Sequence, residues 1–599
     1  MTDRTKTGLE VLQAAFLMGI LGNVLLRETP WGLNAFLFVT AFVAALGAVA
    51  VRRRPELVTG QNIALCAAMV FFSAMFLWRD SIELRTIDTF AIITLMGVLI
   101  LSSLNVTAKI GGMFHYGVGI VWAGINSAFA PAMLLSTDVK WASLPKLGWS
   151  RHLIAGVRGL LIALPLILIF GSLFAAADAA YEGMIERVFN IAPETLFSHL
   201  VLTAVFFWLT AGYYRGVLLG GAFVEPVVPV TDECESPHAS RAETSKLTIF
   251  EQARAEEPET AGLPNNASIL DHINTSDPPD GTRTPSPASE PDGAPTPSFA
   301  SDAKATPDQE KKPWQWQDLD NSLVPQAFTL GVVETSVVLG LMNLLFLSFV
   351  VVQVPYLFGG MDLVQNTPDF KLAEYARRGF GELVTVTALV LPILLVSHWL
   401  LRKENPVNEK VYRILAGIQI VLLFVIMASA MQRLFLLTGN LGYGLTTVRF
   451  YPMVVMIWFA IVFVWFGLTV LRGARQYFAW GALWSAVFVL AGIHVLNPDE
   501  FIAKTNIRLM NEGRVYDSDY NSQLSNDAAP VLVESLSSMS QVDQCVTKYE
   551  LRDRLEAMRT KSDLRSFNFS RSAALKYLES IEPQLDTTGC QERSYRFFD

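Results

Sequence analysis

The sequence predicts an all-α protein: a polytopic transmembrane helical bundle of about eleven spans, with a disordered cytoplasmic tether and a small helical soluble C-terminal domain. Three observations carry that prediction. Of 599 residues, 52% are hydrophobic and only 17% charged, a balance too apolar for a soluble chain. Apolar runs close to the roughly 20 residues that a helix needs to cross hydrocarbon recur along the chain. They fall into two groups, separated by a long polar stretch and followed by a polar tail.

Residues 1–224 form the first bundle, with runs at Leu9–Leu26, Trp31–Val51, Asn62–Trp78, Ile82–Leu104, Leu153–Ala176 and Leu196–Leu219. Met1 to Lys6 is polar and no small-residue cleavage site clearly follows the first run, so that run reads as a retained span. Gly117–Leu135 is apolar too, but four glycines or prolines and Asn126 interrupt it, and it reads as interfacial or re-entrant. Residues 225–320 are the tether. Eleven prolines between Pro258 and Pro313, with almost no aromatics, leave too little apolar surface to offset chain entropy. Thr284-Pro-Ser-Pro287 is a weak docking or phosphorylation hint, and Asn266-Ala-Ser268 reads as a chance glycosylation pattern. Residues 321–496 form the second bundle, with runs at Thr329–Val352, Gly381–Leu401, Val411–Leu434, Tyr451–Leu471 and Tyr477–Leu496. Residues 497–599 are the tail, where Val531–Leu536 and Tyr549–Met558 carry helical spacing and Ser525–Pro530 reads as a turn into a helix.

Charge sets orientation and excludes one class of partner. The net charge of −9 is local: residues 231–313 hold 16 acidic against 7 basic residues. The rest is neutral, without the basic field that nucleic acid needs. With eleven spans and a cytoplasmic N-terminus, Arg52–Arg54, Lys109, Lys140, Lys146, Arg151, Arg402, Lys403, Lys410, Arg472 and Arg475 all fall inside. The tail is then periplasmic, in a compartment that permits a disulfide between Cys545 and Cys590, while Cys66 and Cys234 read as free.

Polar residues inside or against apolar runs are the candidate site. Glu374, Tyr375, Arg377, Arg378 and Glu382 precede the eighth span, Arg433 ends the ninth, and Tyr443 and Arg449 lead into the tenth. Alone, each arginine reads as a snorkelling anchor. As a group, with Glu374, Glu382 and Glu334 as charge partners, they read as an outer patch for a phosphate headgroup or carboxylate, which arginine forks bind bidentately. Arg158 and Asp178 read as a buried stabilising pair. No Walker, His-Glu-x-x-His or Cys-x-x-Cys motif is present and the histidines are isolated, so neither a metal nor another cofactor is expected.

The stretches Arg158–Pro165, Leu339–Phe346, Glu374-Tyr-Ala-Arg-Arg-Gly-Phe380, Tyr443-Gly-Leu-Thr-Thr-Val-Arg449, Asn497-Pro-Asp and Leu524–Pro530 make the chain resemble a bacterial family of multi-pass membrane proteins catalogued as a domain of unknown function. The resemblance implies a bacterial inner-membrane location and supplies no mechanism. Two expectations follow. One is a non-enzymatic inner-membrane protein, transporter-like or an envelope component, whose partners are membrane lipid and an anionic solute or headgroup. The alternative is a membrane-embedded transferase or hydrolase acting on a lipid-linked substrate, with Glu374 or Glu382 as base.

Overall fold

The computed structural model describes residues 2–27, 30–141, 193–220, 329–358, 380–402, 406–436, 438, 444–560, 563–588 and 590. All belong to one compact unit built from Met1–Glu225 and Trp314–Asp599. Its first bundle contains α1 (Asp3–Leu26), α2 (Leu33–Arg53), α3 (Gly60–Trp78), α4 (Ile82–Leu99, continued by a 3-10 turn to Leu104), α5 (Met113–Met133, prolonged by a π turn to Asp138) and α6 (Pro193–Leu219). The second contains α7 (Val332–Phe358), α8 (Phe380–Leu400), α9 (Pro406–Phe435), α10 (Thr447–Thr469) and α11 (Phe478–Leu496). The tail is made of α12 (Pro498–Asn511), α13 (Ser518–Ser522), α14 (Ala529–Glu534), α15 (Gln541–Thr560) and α16 (Phe569–Ser580). Among the described residues eleven helices, α1 to α11, are long and apolar enough to cross a membrane. The total matches the expected one, but its membership differs: α5 is included, while Leu153–Ala176 lies outside the described residues.

Contacts between helix ends show which termini share a face of the bundle. Arg53 at the end of α2 pairs with Glu10 near the start of α1. Asn62 in α3 bonds Ser102 beyond α4. Lys109 lies 6.0 Å from the Tyr477 ring that precedes α11. Leu330 before α7 bridges to Leu401 after α8, and Gly473 after α10 lies against Arg413 in α9. These points define one end of the bundle. The tail covers the other: Arg79 after α3 donates to the His494 carbonyl near the end of α11.

Helix α5 is unlike its neighbours. Its start follows the α4 loop, with the Tyr116 hydroxyl on the Ala108 carbonyl. Its far end, Asp138, bonds Arg4 and Thr5 at the start of α1. Both ends therefore lie at the same end of the bundle, although 26 residues would span it. The helix instead crosses α4 and α6 obliquely. A Cβ on Gly119 would stand 2.1 Å from the Gly97 carbonyl, and one on Gly212 would stand 2.3 Å from the Asn126 carbonyl, so glycine permits both close crossings.

Two apolar cores fill the bundles, and α11 serves both. Ala479 and Val487 pack with α1–α6, while Phe478 and Ala482 belong to the core of α7–α10. A third cluster joins Leu84, Phe450 and Ile493 to Ile502, Leu524 and Leu532, so the tail is seated on α4, α10 and α11 through apolar contact. The tail's own core holds Leu551, Leu555, Ala574 and Leu578, and Cys545 is disulfide-bonded to Cys590. Cys66 is free.

Candidate functional site

The turn between α3 and α4 is Arg79-Asp80-Ser81, and the tail is built around it. Asn568 donates to the Phe76 and Arg79 carbonyls, both at 2.8 Å, satisfying acceptors at the α3 C-terminus. The same side chain accepts from Arg571 N at 2.9 Å, capping α16. Asp80 is the hub. Its Oδ1 takes Arg571 Nη2 at 2.5 Å and also pairs with Arg85 from the first turn of α4, while Oδ2 accepts from Asn526 at 2.5 Å. Its backbone N–H donates to Asp527, whose carboxylate also holds Arg79 at 3.3 Å. Arg79 in turn stacks 4.4 Å over Trp78.

These links leave a cavity of about 600 Å³ between the mouth of α4 and the tail. Three guanidinium groups wall it, from Arg85, Arg554 and Arg571, together with Trp31, Thr86, Asn526 and Met558, and among the described residues no carboxylate is in the lining. Arg554 rises from α15, paired at 3.5 Å with Glu550 and bonded to the Ser522 carbonyl. Its Nη1 is buried with no hydrogen-bond partner, as is Arg85 Nε. Burial holds the Arg554 and Arg571 guanidinium groups below their ordinary values. A bound anion would relieve that cost and meet the open donors.

Next to it, and sharing Ile82, Asn526 and Arg554, is a cavity of about 410 Å³ with Asp80, Glu83 and Asp499 in its wall. Asp499 is 2% exposed. Its Oδ2 accepts from Ser525 N at 3.2 Å and its Oδ1 has no hydrogen-bond partner. Burial first, then the neighbouring Glu83 and Asp527 charges, push its carboxyl above the ordinary range against the Ser525 hydrogen bonds. Beneath both cavities, His494 Nε2 and Asp88 Oδ1 meet at 2.9 Å between α11 and α4, each side chain 1% exposed.

The family model described as Domain of unknown function (DUF4153) matches residues 65–250 and 302–535, more than half of the chain. The chain belongs to that family. No curated protein and no solved structure matches it. The DUF4153 match takes in Arg79, Asp80, Arg85, Asp499 and Asp527 but stops before Arg554 and Arg571. The membrane side of the cavity is thus inside the family region, and two of its three arginines come from the tail beyond it.

Much of the expected patch lies outside the described residues: Glu374, Tyr375, Arg377, Arg378 and Tyr443, as do Arg158 and Asp178. Glu382 falls in α8, with only its backbone described. Arg433 is 7% exposed near the end of α9, and Arg449 donates to the Gly444 carbonyl at the entrance of α10. Glu334, expected as a charge partner, lies away from the described arginines of the patch. It sits in the first turn of α7 and accepts Gly331 N at 3.0 Å, capping its own helix. That turn is at the bundle end opposite Arg433 and Arg449, so those charges cannot meet. Among the described residues no three His, Cys, Asp or Glu side chains group as metal ligands.

The arginine cavity itself was missed. The signal lay in Arg79, Asp80, Glu83 and Arg85, four charges around the break between two apolar runs.

Proposed function

We propose that this integral membrane protein binds an anionic group, a phosphate or a carboxylate, in the cavity walled by Arg85, Arg554 and Arg571. The lining carries the reading: three guanidinium groups without a carboxylate among the described residues, and a buried Arg554 Nη1 lacking a partner. We place the cavity on the periplasmic side of a bacterial inner membrane, with the N-terminus in the cytoplasm. Arg52–Arg54, Lys109, Lys140, Arg402, Lys410, Arg472 and Arg475 support this, because all follow or precede helix ends at the face away from the tail. The Cys545–Cys590 disulfide in the tail supports it too.

Calorimetry of the purified protein with inorganic phosphate and with acetate tests the binding. Losing one charged hydrogen-bonding group costs about 1.5–3 kcal/mol, so Arg554→Gln and Arg571→Gln are each expected to weaken binding tenfold or more. Absence of binding by either anion, or binding unchanged in both variants, overturns the reading. Orientation is tested after Cys66 and Cys234 are replaced by serine. A cysteine at Lys109 should resist a membrane-impermeant maleimide applied from the periplasm.

One observation favours a second reading, a transferase or hydrolase on a lipid-linked substrate. Asp499 is a buried carboxyl with an open oxygen, in a cavity that shares Arg554 with the anion site. Headgroup release from phosphatidylglycerol, followed by mass spectrometry, should then disappear in Asp499→Asn while anion binding persists. No release by the intact protein removes this reading.

A further inference from the structure

A third cavity, of about 200 Å³, lies next to the arginine cavity and between α2, α3 and α4. The two share Trp31 and Thr89, so they are adjacent compartments on either side of one aromatic side chain. The smaller one is walled by Phe38, Val39, Phe42, Met69, Ile92 and Met96, and no charged side chain lines it. Even Thr89 turns its polar atom away, its hydroxyl donating to the Arg85 carbonyl at 2.8 Å. In the same wall stands Ile93 of α4, 46% exposed.

From this we infer that the ligand is an anionic amphiphile: its charged group sits among Arg85, Arg554 and Arg571, and its hydrocarbon chain fills the slot between α2, α3 and α4. The inference rests on the anion reading above and names the class of molecule that satisfies it. An apolar space of this kind stays dry, so a hydrophilic anion leaves it empty, whereas a chain attached to the same anion fills it. The order of the compartments also fits the bilayer. The polar one is at the level where the tail meets the helix ends, and the apolar one is deeper, beside α2, α3 and α4 within their spanning lengths. A membrane lipid already has its head and chain at those two depths, so it enters past Ile93 without withdrawing its chain from hydrocarbon.

The test uses the full chain in phosphatidylcholine nanodiscs, with inorganic phosphate, acetate, hexyl phosphate and hexanoate as probes. Hexyl phosphate is expected to bind at least a hundredfold more tightly than inorganic phosphate, and hexanoate to exceed acetate similarly if carboxylates are taken. Val39→Phe fills the slot and should abolish the gain from the chain while leaving binding of inorganic phosphate unchanged. Leu37→Phe, on an exposed position of the same helix, should leave both intact. If the small anions bind but the chain adds nothing, or the gain survives Val39→Phe, the amphiphile is overturned and the anion reading stands. If neither small anion binds, both fall together. The comparison of probes on the unsubstituted protein decides the matter even where Val39→Phe fails to fold.

Discussion

The two ends of the first bundle solve one electrostatic problem in different ways. At the end bearing the N-terminus, Asp138 holds Arg4 at 2.7 Å and Arg215 at 2.5 Å. At the end covered by the tail, Asp80 holds Arg571 at 2.5 Å and also Arg85. Each is one carboxylate shared by two arginines. Arg215 and Asp138 are both 1% exposed, closed in among α1, α5 and α6. Arg85 and Arg571 keep 18% and 17% exposure and border an open cavity. The same charge pattern therefore acts as a rivet in one place and as a binding wall in the other. What separates them is whether space remains beside the guanidinium groups.

The rivet should give the larger effect when broken. Asp138→Asn leaves Arg215 buried without its counter-charge, a change that costs about 3–5 kcal/mol. It also loosens the far end of α5, whose obliquely packed position depends on this contact. Chemical denaturation should show that loss, and a stability change under about 1 kcal/mol would mean the pair is not the anchor described.

The wall depends on the tail, and the next effect tests that dependence. Cys545 and Arg554 share α15, and the disulfide ties this helix to Cys590, 45 residues away in sequence. A bridge of that kind contributes about 2–4 kcal/mol, so Cys545→Ala with Cys590→Ala should lower the stability of the tail and weaken anion binding. The Asp138 cluster should keep its stability, because no tail residue takes part in its ion pairs.

How much of this was legible in the sequence follows from where the partners sit. Spans such as Asn62–Trp78 and Tyr451–Leu471 were readable because length and apolarity are local properties. The tether's charge was readable for the same reason, and the pairing of the two tail cysteines, 45 residues apart, followed from the compartment inferred for the tail. Asp80 was not, since its partner Arg571 is 491 residues away and lies in a polar domain where an arginine carries no signal. Glu334 carried only part of its role in the sequence, where a carboxylate within an apolar run resembles a buried partner. In the fold it begins its helix and caps it. Gly117–Leu135 stood out through its glycines, and those at 119, 212 and 97 are where its helix packs closely on its neighbours.

A smaller effect separates holding from binding at the wall. Asp80→Asn removes the carboxylate that competes with a ligand for Arg85 and Arg571. Its stability loss should be smaller than that of Asp138→Asn, because both arginines keep access to solvent. Affinity for inorganic phosphate should rise severalfold. Calorimetry showing weaker phosphate binding would make Asp80 a positioning residue for the arginines.

The smallest expected effect concerns Asp499, the buried carboxyl in the neighbouring cavity. Its folded value lies above the ordinary carboxylate value of about 3.9 because burial disfavours the charged form. Between those two values the folded chain binds more protons than the unfolded one, so stability falls as pH rises through that window. Above the folded value the penalty is fully present, and below about 3.9 it is gone. Asn at this position keeps an acceptor for Ser525 N and cannot ionise. Asp499→Asn should therefore raise the melting temperature at neutral pH, with a gain that shrinks steadily as the medium is acidified towards pH about 4. A gain independent of pH would assign the effect to packing. A loss at neutral pH would show that the ionised carboxylate meets a stabilising partner, such as the Arg554 it shares a cavity with.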